Sequence, residues 1–432
     1  MTAAARQLPR ASASRALPLA LAAALVGVSL LLRLPSVVGY HGPLQPHPFN
    51  AFEMAHVGGY SDIAHLYFRD RLLLHPEPYF DYRFEYPVLT GAFVWLASFV
   101  HGDVTQYMLA SAALLALLGV AAVWALQRIE GANAWILAAA PALAFYALLN
   151  WDLLGVCLMV LALVLFQRGR DLPAAAVLAL AVSAKVFPIV VLPVVLALRL
   201  ADRRFGSALR IGAIFTAVTA AVNAPFAIDS GGLRESWLYF FRFTQSRPPR
   251  ATIWKPLVHD HSNLVTAPLL VAGLAAIVVL AVRARGRPGG TLVPASAASL
   301  LWVFATAKVY SPQYALFIFA ALALDGTALP LVVAFGLVDA LVFTTTFGPL
   351  YPGFGPFAPG GVPLEIQWAA YGVRQLLTAG LAAWIVRDRL LLHVPNRLQL
   401  PGFTHPTKEP HGSHREPGDA GYQAVPRVRR GG

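Results

Sequence analysis

Asp62, His65 and Arg69 lie three and four residues apart in the segment Gly59-Tyr60-Ser61-Asp62-Ile63-Ala64-His65-Leu66-Tyr67-Phe68-Arg69. On a helix of about 3.6 residues per turn they share one face, and Ile63, Leu66 and Tyr67 fall roughly opposite. That pattern suits a short helix lying on a membrane with its polar face turned to a cavity. The plainer account is a solvated loop face on which Arg69 neutralises Asp62. A second acid, Glu85, stands in Phe84-Glu85-Tyr86-Pro87, where the proline fits the first turn of a helix. Glu85 either caps that helix or faces the same cavity.

Further on, Asn150-Trp151-Asp152 opens an apolar run, Leu153 to Phe166. Asp152 there is either a partner of the helix dipole or a cavity-lining acid. Lys185 stands alone at a proline break in Ala184-Lys185-Val186-Phe187-Pro188. It either snorkels to the interface or takes an anionic partner, Asp152 or a ligand phosphate. Trp237, Tyr239, Phe240, Phe241, Arg242, Phe243, Arg247, Arg250, Trp254, Lys255, His259 and His261 make one loop both basic and aromatic. Arginine offers a bidentate fork to phosphate, so this loop suits an anionic headgroup; docking on acidic lipid is the bland version. His259 and His261 flank Asp260, but the spacing is poor for one helix face and no third ligand is evident, so no metal is expected. Lys308-Val309-Tyr310-Ser311-Pro312-Gln313-Tyr314 brings polar groups to another proline break, the kind of backbone tolerated at membrane depth where it lines a cavity.

The elements that must position these residues are helices in lipid. Of 432 residues 57% are hydrophobic and 12% charged, about half the charge of a soluble domain. Mean hydropathy is +0.61. A soluble enzyme, a disordered chain and a disulfide scaffold are excluded; Cys157, alone in an apolar run, forms no internal bridge. The net charge of +12 is spread over loop ends and a tail, which argues against nucleic acid as a partner. An apolar helix of roughly 20 residues spans a bilayer. Ala16 to Leu34 is the first such stretch, read as an uncleaved helix because no small-residue cleavage site precedes Arg33-Leu34-Pro35. Candidates follow at 87–101, 104–127, 134–149, 151–167, 172–187, 188–200, 208–224, 264–282, 291–309, 311–324, 328–347 and 365–386. Pro188, Pro193 and Pro312 are expected to break their helices. The expected fold is an all-α polytopic membrane protein of about 11 to 13 membrane segments.

Short arginine clusters at 168–170, 199–210, 283–287 and 387–389 place those turns in the cytoplasm by the positive-inside rule. Residues 1–394 then form the membrane domain with a cytoplasmic N-terminus, and 395–432 a disordered cytoplasmic tail. The segments 35–86, 225–263 and 348–364 fall outside, and parity makes 87–101 re-entrant or interfacial. Nothing matches the phosphate-cradling GxxxxGK[ST], GxSxG or HExxH patterns, and no two halves resemble each other.

Five motifs in order resemble glycosyltransferase family 87, of the GT-C fold: Asp-Ile-x-x-Leu-Tyr at 62–67, Phe-Glu-Tyr-Pro at 84–87, Asn-Trp-Asp-Leu at 150–153, Ala-Lys-Val-Phe-Pro at 184–188 and Ser-Pro-Gln-Tyr at 311–314. The resemblance implies a GT-C-type bundle with short interfacial helices in its outer loops. It also implies transfer of a sugar, mannose by family analogy, from a polyprenyl-phosphate donor on the outer leaflet to a lipid or glycan hydroxyl, with inversion and without cofactor. The family's base is an acid of the first outer loop, the position of Asp62. Arg247, Lys185, Lys308 and His261 are then the expected phosphate ligands. Glu85, Asp152, His65, Gln313 and Tyr310 are expected to bind sugar hydroxyls or orient those groups. A lipid-linked-sugar flippase or other transporter is the alternative, and it would carry its essential charges near the bilayer midplane.

Overall fold

The structure is a computed structural model and describes residues 10–38, 59–100, 102–228, 234–258, 261–287, 289–347 and 363–392. The 395–432 tail, most of the 348–364 loop, residues 39–58 and the pair His259-Asp260 lie outside the described residues, and the expectations about them with it. Regular structure among the described residues is helical, since a backbone in hydrocarbon must satisfy its own N–H and C=O groups.

From the N-terminus, α1 (Arg10–Arg33) precedes α2 (Asp62–Arg69), α3 (Val88–Ser98) and α4 (Val104–Leu126). The expected span at 134–149 is two short helices, α5 (Ala134–Ala138) and α6 (Pro141–Tyr146), broken where Pro141 removes an N–H. After α7 (Asp152–Gln167) and α8 (Asp171–Ala184), a 3₁₀ turn at Phe187–Val190 leads into α9 (Val191–Ala201). Pro188 and Pro312 interrupt their helices as expected, but Pro193 does not. It sits in the first turn of α9, where helical N–H groups have no partner within the helix. Then follow α10 (Phe205–Ile228), α11 (Arg234–Ser246), α12 (Trp254–Val258), α13 (Ser262–Arg283), α14 (Leu292–Thr306), α15 (Ala315–Asp325), α16 (Leu329–Phe347) and α17 (Leu364–Ile385), which a π turn at Val386–Leu391 extends.

Among the described residues six helices, α1, α4, α10, α13, α16 and α17, are long and apolar enough to cross a membrane, which makes this an all-α multi-pass membrane protein. Of the shorter apolar helices, α7, α14 and α15 are largely enclosed by protein. Every residue of α15 is buried, whereas α13 buries only Ser262, Thr266, Ile277 and Ala281. A helix enclosed by protein need not match the thickness of hydrocarbon, so 11 residues suffice for α15.

Successive passes alternate between two ends of the bundle. One end gathers the arginine-bearing turns, tied by Arg285 to Asp202 (3.8 Å), Arg389 to Asp325 (3.0 Å) and the Glu130 N–H to Gln167 (3.1 Å). The opposite end gathers the polar motifs. Helix α3 stays at that second end, tied near its start by Thr90 to the Ala184 carbonyl (2.7 Å) and near its finish by Trp95 to the His75 carbonyl (3.3 Å).

Candidate active site

A cavity of about 1030 Å³ opens among the helix ends and loops at the motif-bearing end. Asp62 reaches it from the first turn of α2. Ser61 caps that helix by accepting from the Ile63 N–H (3.2 Å) and donates to the Leu148 carbonyl (2.6 Å), while the Asp62 N–H donates to the Leu149 carbonyl (2.8 Å). The amphipathic pattern holds: Ile63, Leu66 and Tyr67 are buried, while Asp62, His65 and Arg69 line the cavity.

The Asp62 carboxylate is held on three sides. The Tyr60 hydroxyl donates to Oδ1 (2.7 Å); the Tyr86 hydroxyl (3.2 Å) and Asn150 Nδ2 (2.9 Å) donate to Oδ2. Asn150 Nδ2 also reaches the Tyr86 oxygen (2.8 Å), and the side-chain Oδ1 of Asn150 accepts from the Trp151 N–H (2.6 Å). A carboxylate has about four acceptor sites, so one lone pair of Oδ1 remains for a fourth donor. Arg69 does not neutralise Asp62. Its guanidinium takes Glu85 in a two-pronged pair (2.6 and 2.8 Å) and Asp70 in another (2.6 and 2.9 Å). Burial pushes the Asp70 carboxyl up to about 6 despite the opposing hydrogen bond from Arg69. Glu85 is therefore an ion-paired cavity residue and not a cap; Pro87 holds the N-cap position of the nearby helix, which has no side-chain cap.

Lys185 follows the last turn of α8 and pairs with Asp152 at the start of α7. Gly155 permits this approach, since a Cβ there would stand 2.9 Å from the Lys185 Cβ and 3.1 Å from Phe317. The ammonium lies 5.0 Å from the Tyr86 ring and 5.6 Å from that of Tyr314. Lys185 lines the cavity. Asp152 is wholly buried behind it, so its place is that of the lysine's counter-ion.

Arg247, Arg250, Lys255 and Lys308 bring four more cations to the cavity. Lys308 Nζ donates to the Gln245 carbonyl (2.5 Å), and the Arg250 N–H to the Lys308 carbonyl (3.0 Å), so two segments far apart in sequence share one wall. None of the four shows an acidic partner among the described residues. His65 and Gln313 also line the cavity, whereas His261 and Tyr310 do not. His261 is an exposed residue before α13. Tyr310 is turned inward, its ring 3.9 Å from the Arg374 guanidinium and its hydroxyl 2.9 Å from Thr378. A tyrosine at a polar break looks the same in sequence whichever way it turns.

Tyr60, Tyr86 and Asn150 carry no mark in the sequence as partners of Asp62. Nor do the apolar stretches 328–347 and 365–386 announce that Asp339 and Arg374 are fully buried there and 3.7 Å apart. One acid and one arginine in two apolar runs was the available signal.

A cavity that joins one tightly held carboxylate, a row of cations and aromatic walls can receive an anionic, hydroxyl-rich ligand and accept a proton from it. The family model described as glycosyltransferase family 87 matches residues 84–312. That stretch holds Glu85, Asn150, Lys185, Arg247 and Lys308, but neither Asp62 nor α17. No curated protein matches the sequence.

Proposed function

The chain belongs to glycosyltransferase family 87, and from that premise we propose that it transfers a sugar, mannose in the first instance, from a polyprenyl-phosphate donor to a lipid or glycan hydroxyl. The reaction is an inverting single displacement at the outer face of the cytoplasmic membrane. The observation that carries this reading is the placement of Asp62 and the unpaired cations Arg247 and Lys308 on one cavity.

In this reading the acceptor oxygen attacks C1 of the sugar while its proton passes to the open lone pair of Asp62 Oδ1. The bond from C1 to the phosphate oxygen breaks, and its electron pair stays on polyprenyl phosphate. Phosphate leaves readily, so the cations need only hold its charge. Arg247 and Lys308, on the two segments joined at Gln245, take that role. Lys185 is already satisfied by Asp152 and contributes field rather than a free ligand site. The Arg69–Glu85 pair fixes the rim beside α2, and Glu85 keeps lone pairs for sugar hydroxyls. The arginine-bearing end faces the cytoplasm by the positive-inside rule, which turns the cavity outward.

Transfer of radiolabelled sugar from polyprenyl-phosphate-mannose, in membranes holding wild type or Asp62→Asn, tests the reading. Transfer by wild type that disappears in a well-expressed Asp62→Asn supports donor class and base together. No transfer by wild type overturns the donor assignment, and equal transfer by both overturns the base.

A further inference from the structure

The two segments that carry Arg247 and Lys308 are both hydrogen-bonded to α17. Gln375, in the middle of α17, is 2% exposed. Its Oε1 accepts from the Thr252 hydroxyl (2.7 Å) and the Ile253 N–H (2.9 Å), just beyond Arg250. Its Nε2 donates to the carbonyls of Ala305 (2.9 Å) and Ala307 (3.1 Å), just before Lys308. One amide thus binds both segments with donor and acceptor at once, which no apolar side chain can do.

The preceding residue continues the link. Arg374 donates to the Tyr310 carbonyl, the Tyr310 N–H donates to the Arg250 carbonyl (3.0 Å), and the Arg250 N–H donates to the Lys308 carbonyl (3.0 Å). Arg374 is fully buried, and Asp339 on α16 stands 3.7 Å from it. A buried charge pair is a poor source of stability and costly to break, so its retention inside an apolar pair of helices calls for a function.

We propose that Gln375 and Arg374 are positioning residues for the anion site: α17 clamps 245–253 against 305–310 and so sets the distance between Arg247 and Lys308. The proposal rests on the polyprenyl-phosphate reading for the identity of the anion, and on the hydrogen bonds alone for the clamp. Misplacing either cation weakens the grip on phosphate, whereas Asp62 and its three donors, at the starts of α2, α3 and α7 and bonded to one another rather than to Gln375 or Arg374, keep their geometry.

The test compares full-length wild type with Gln375→Met, close in length and without polar atoms, in two measurements on the folded fraction in detergent. Amide exchange at Arg250 and Tyr310 reads the clamp, and titration with polyprenyl monophosphate reads the anion site. Loss of buried hydrogen bonds is expected to speed exchange at these amides and to raise the Kd, each by about tenfold. Unchanged exchange overturns the clamp. Faster exchange with an unchanged Kd overturns the positioning role, a split that general loosening of the fold cannot imitate. If wild type binds no polyprenyl monophosphate, the donor reading fails and the positioning role with it, while exchange still decides the clamp. Should Gln375→Met not fold, Thr252→Val removes one hydroxyl at constant shape, and the same two readings are expected to move about threefold.

Discussion

At the scale of the residue, the proposed chemistry assigns the proton transfer to one carboxylate, Asp62, and its aim to the groups that hold it. Asp62→Asn keeps shape and most hydrogen-bonding capacity but cannot take a proton. Turnover is expected to fall by at least about a hundredfold, with polyprenyl-monophosphate binding within about twofold of wild type. Loss of binding as well would show that Asp62 shapes the site rather than serving as base. Asn150→Ala removes one donor to Oδ2 and one to Tyr86. A hydrogen bond to a charged group contributes about 1.5–3 kcal/mol, so kcat is expected to drop roughly tenfold or more at little cost in donor KM. Arg247→Ala is expected to do the reverse, raising donor KM with little change in kcat or in melting temperature. These two opposite signatures, measured in one transfer assay, separate aiming from holding.

At the scale of the element, the outer loop from α2 to α3 has its own electrostatics. Asp70 titrates higher in the fold than the ordinary 3.8, at about 6, because burial outweighs its contact with Arg69. The fold therefore favours the protonated form. Stability from this group is complete below about pH 4 and is lost as pH rises through about 6. Wild-type melting temperature in detergent is expected to carry that downward slope, and Asp70→Asn to flatten it. An identical slope in both proteins would remove Asp70 as its cause. In α7, Gly155→Ala would drive a Cβ against Lys185 and Phe317. The expected result is a less stable protein in which Lys185 leaves Asp152, read as lower melting temperature and lower transfer together. The amphipathic pattern of α2 was legible because a period of 3.6 needs no neighbours to be seen. The interruption at Pro141 and the continuity through Pro193 were misread, since whether a proline breaks a helix depends on which N–H groups lack partners there.

At the scale of the whole molecule, the separation of arginine-bearing turns from the cavity predicts an outward-facing cavity by the positive-inside rule. Glu77→Cys, on an exposed loop near α3, is expected to react with an impermeant thiol reagent added to intact cells. Arg285→Cys, at the opposite end, is expected to react only after permeabilisation. Native Cys157 is buried and gives little background. The reverse pattern would turn the cavity to the cytoplasm and overturn the outer-leaflet donor.

Composition and hydropathy alone determined that this chain is an all-α membrane protein, because burial in lipid is a property of stretches rather than of partners. Short motifs pointed to the family, since Asp62, Glu85, Asn150, Lys185 and Gln313 stand at fixed places in them. Only the tertiary structure decided what each charge does. Asp152 was open between dipole partner and cavity lining, and proves to be the counter-ion of Lys185. Glu85 was open between cap and cavity, and proves to be held by Arg69. Tyr310 was expected in the cavity and is turned to Arg374, while His261 stands outside it. Gln375 looked like one polar residue in an apolar span, yet it joins segments 122 and 70 residues away. A charge in low dielectric takes its role from the nearest opposite charge or dipole, and that neighbour is chosen by how distant segments pack rather than by sequence separation.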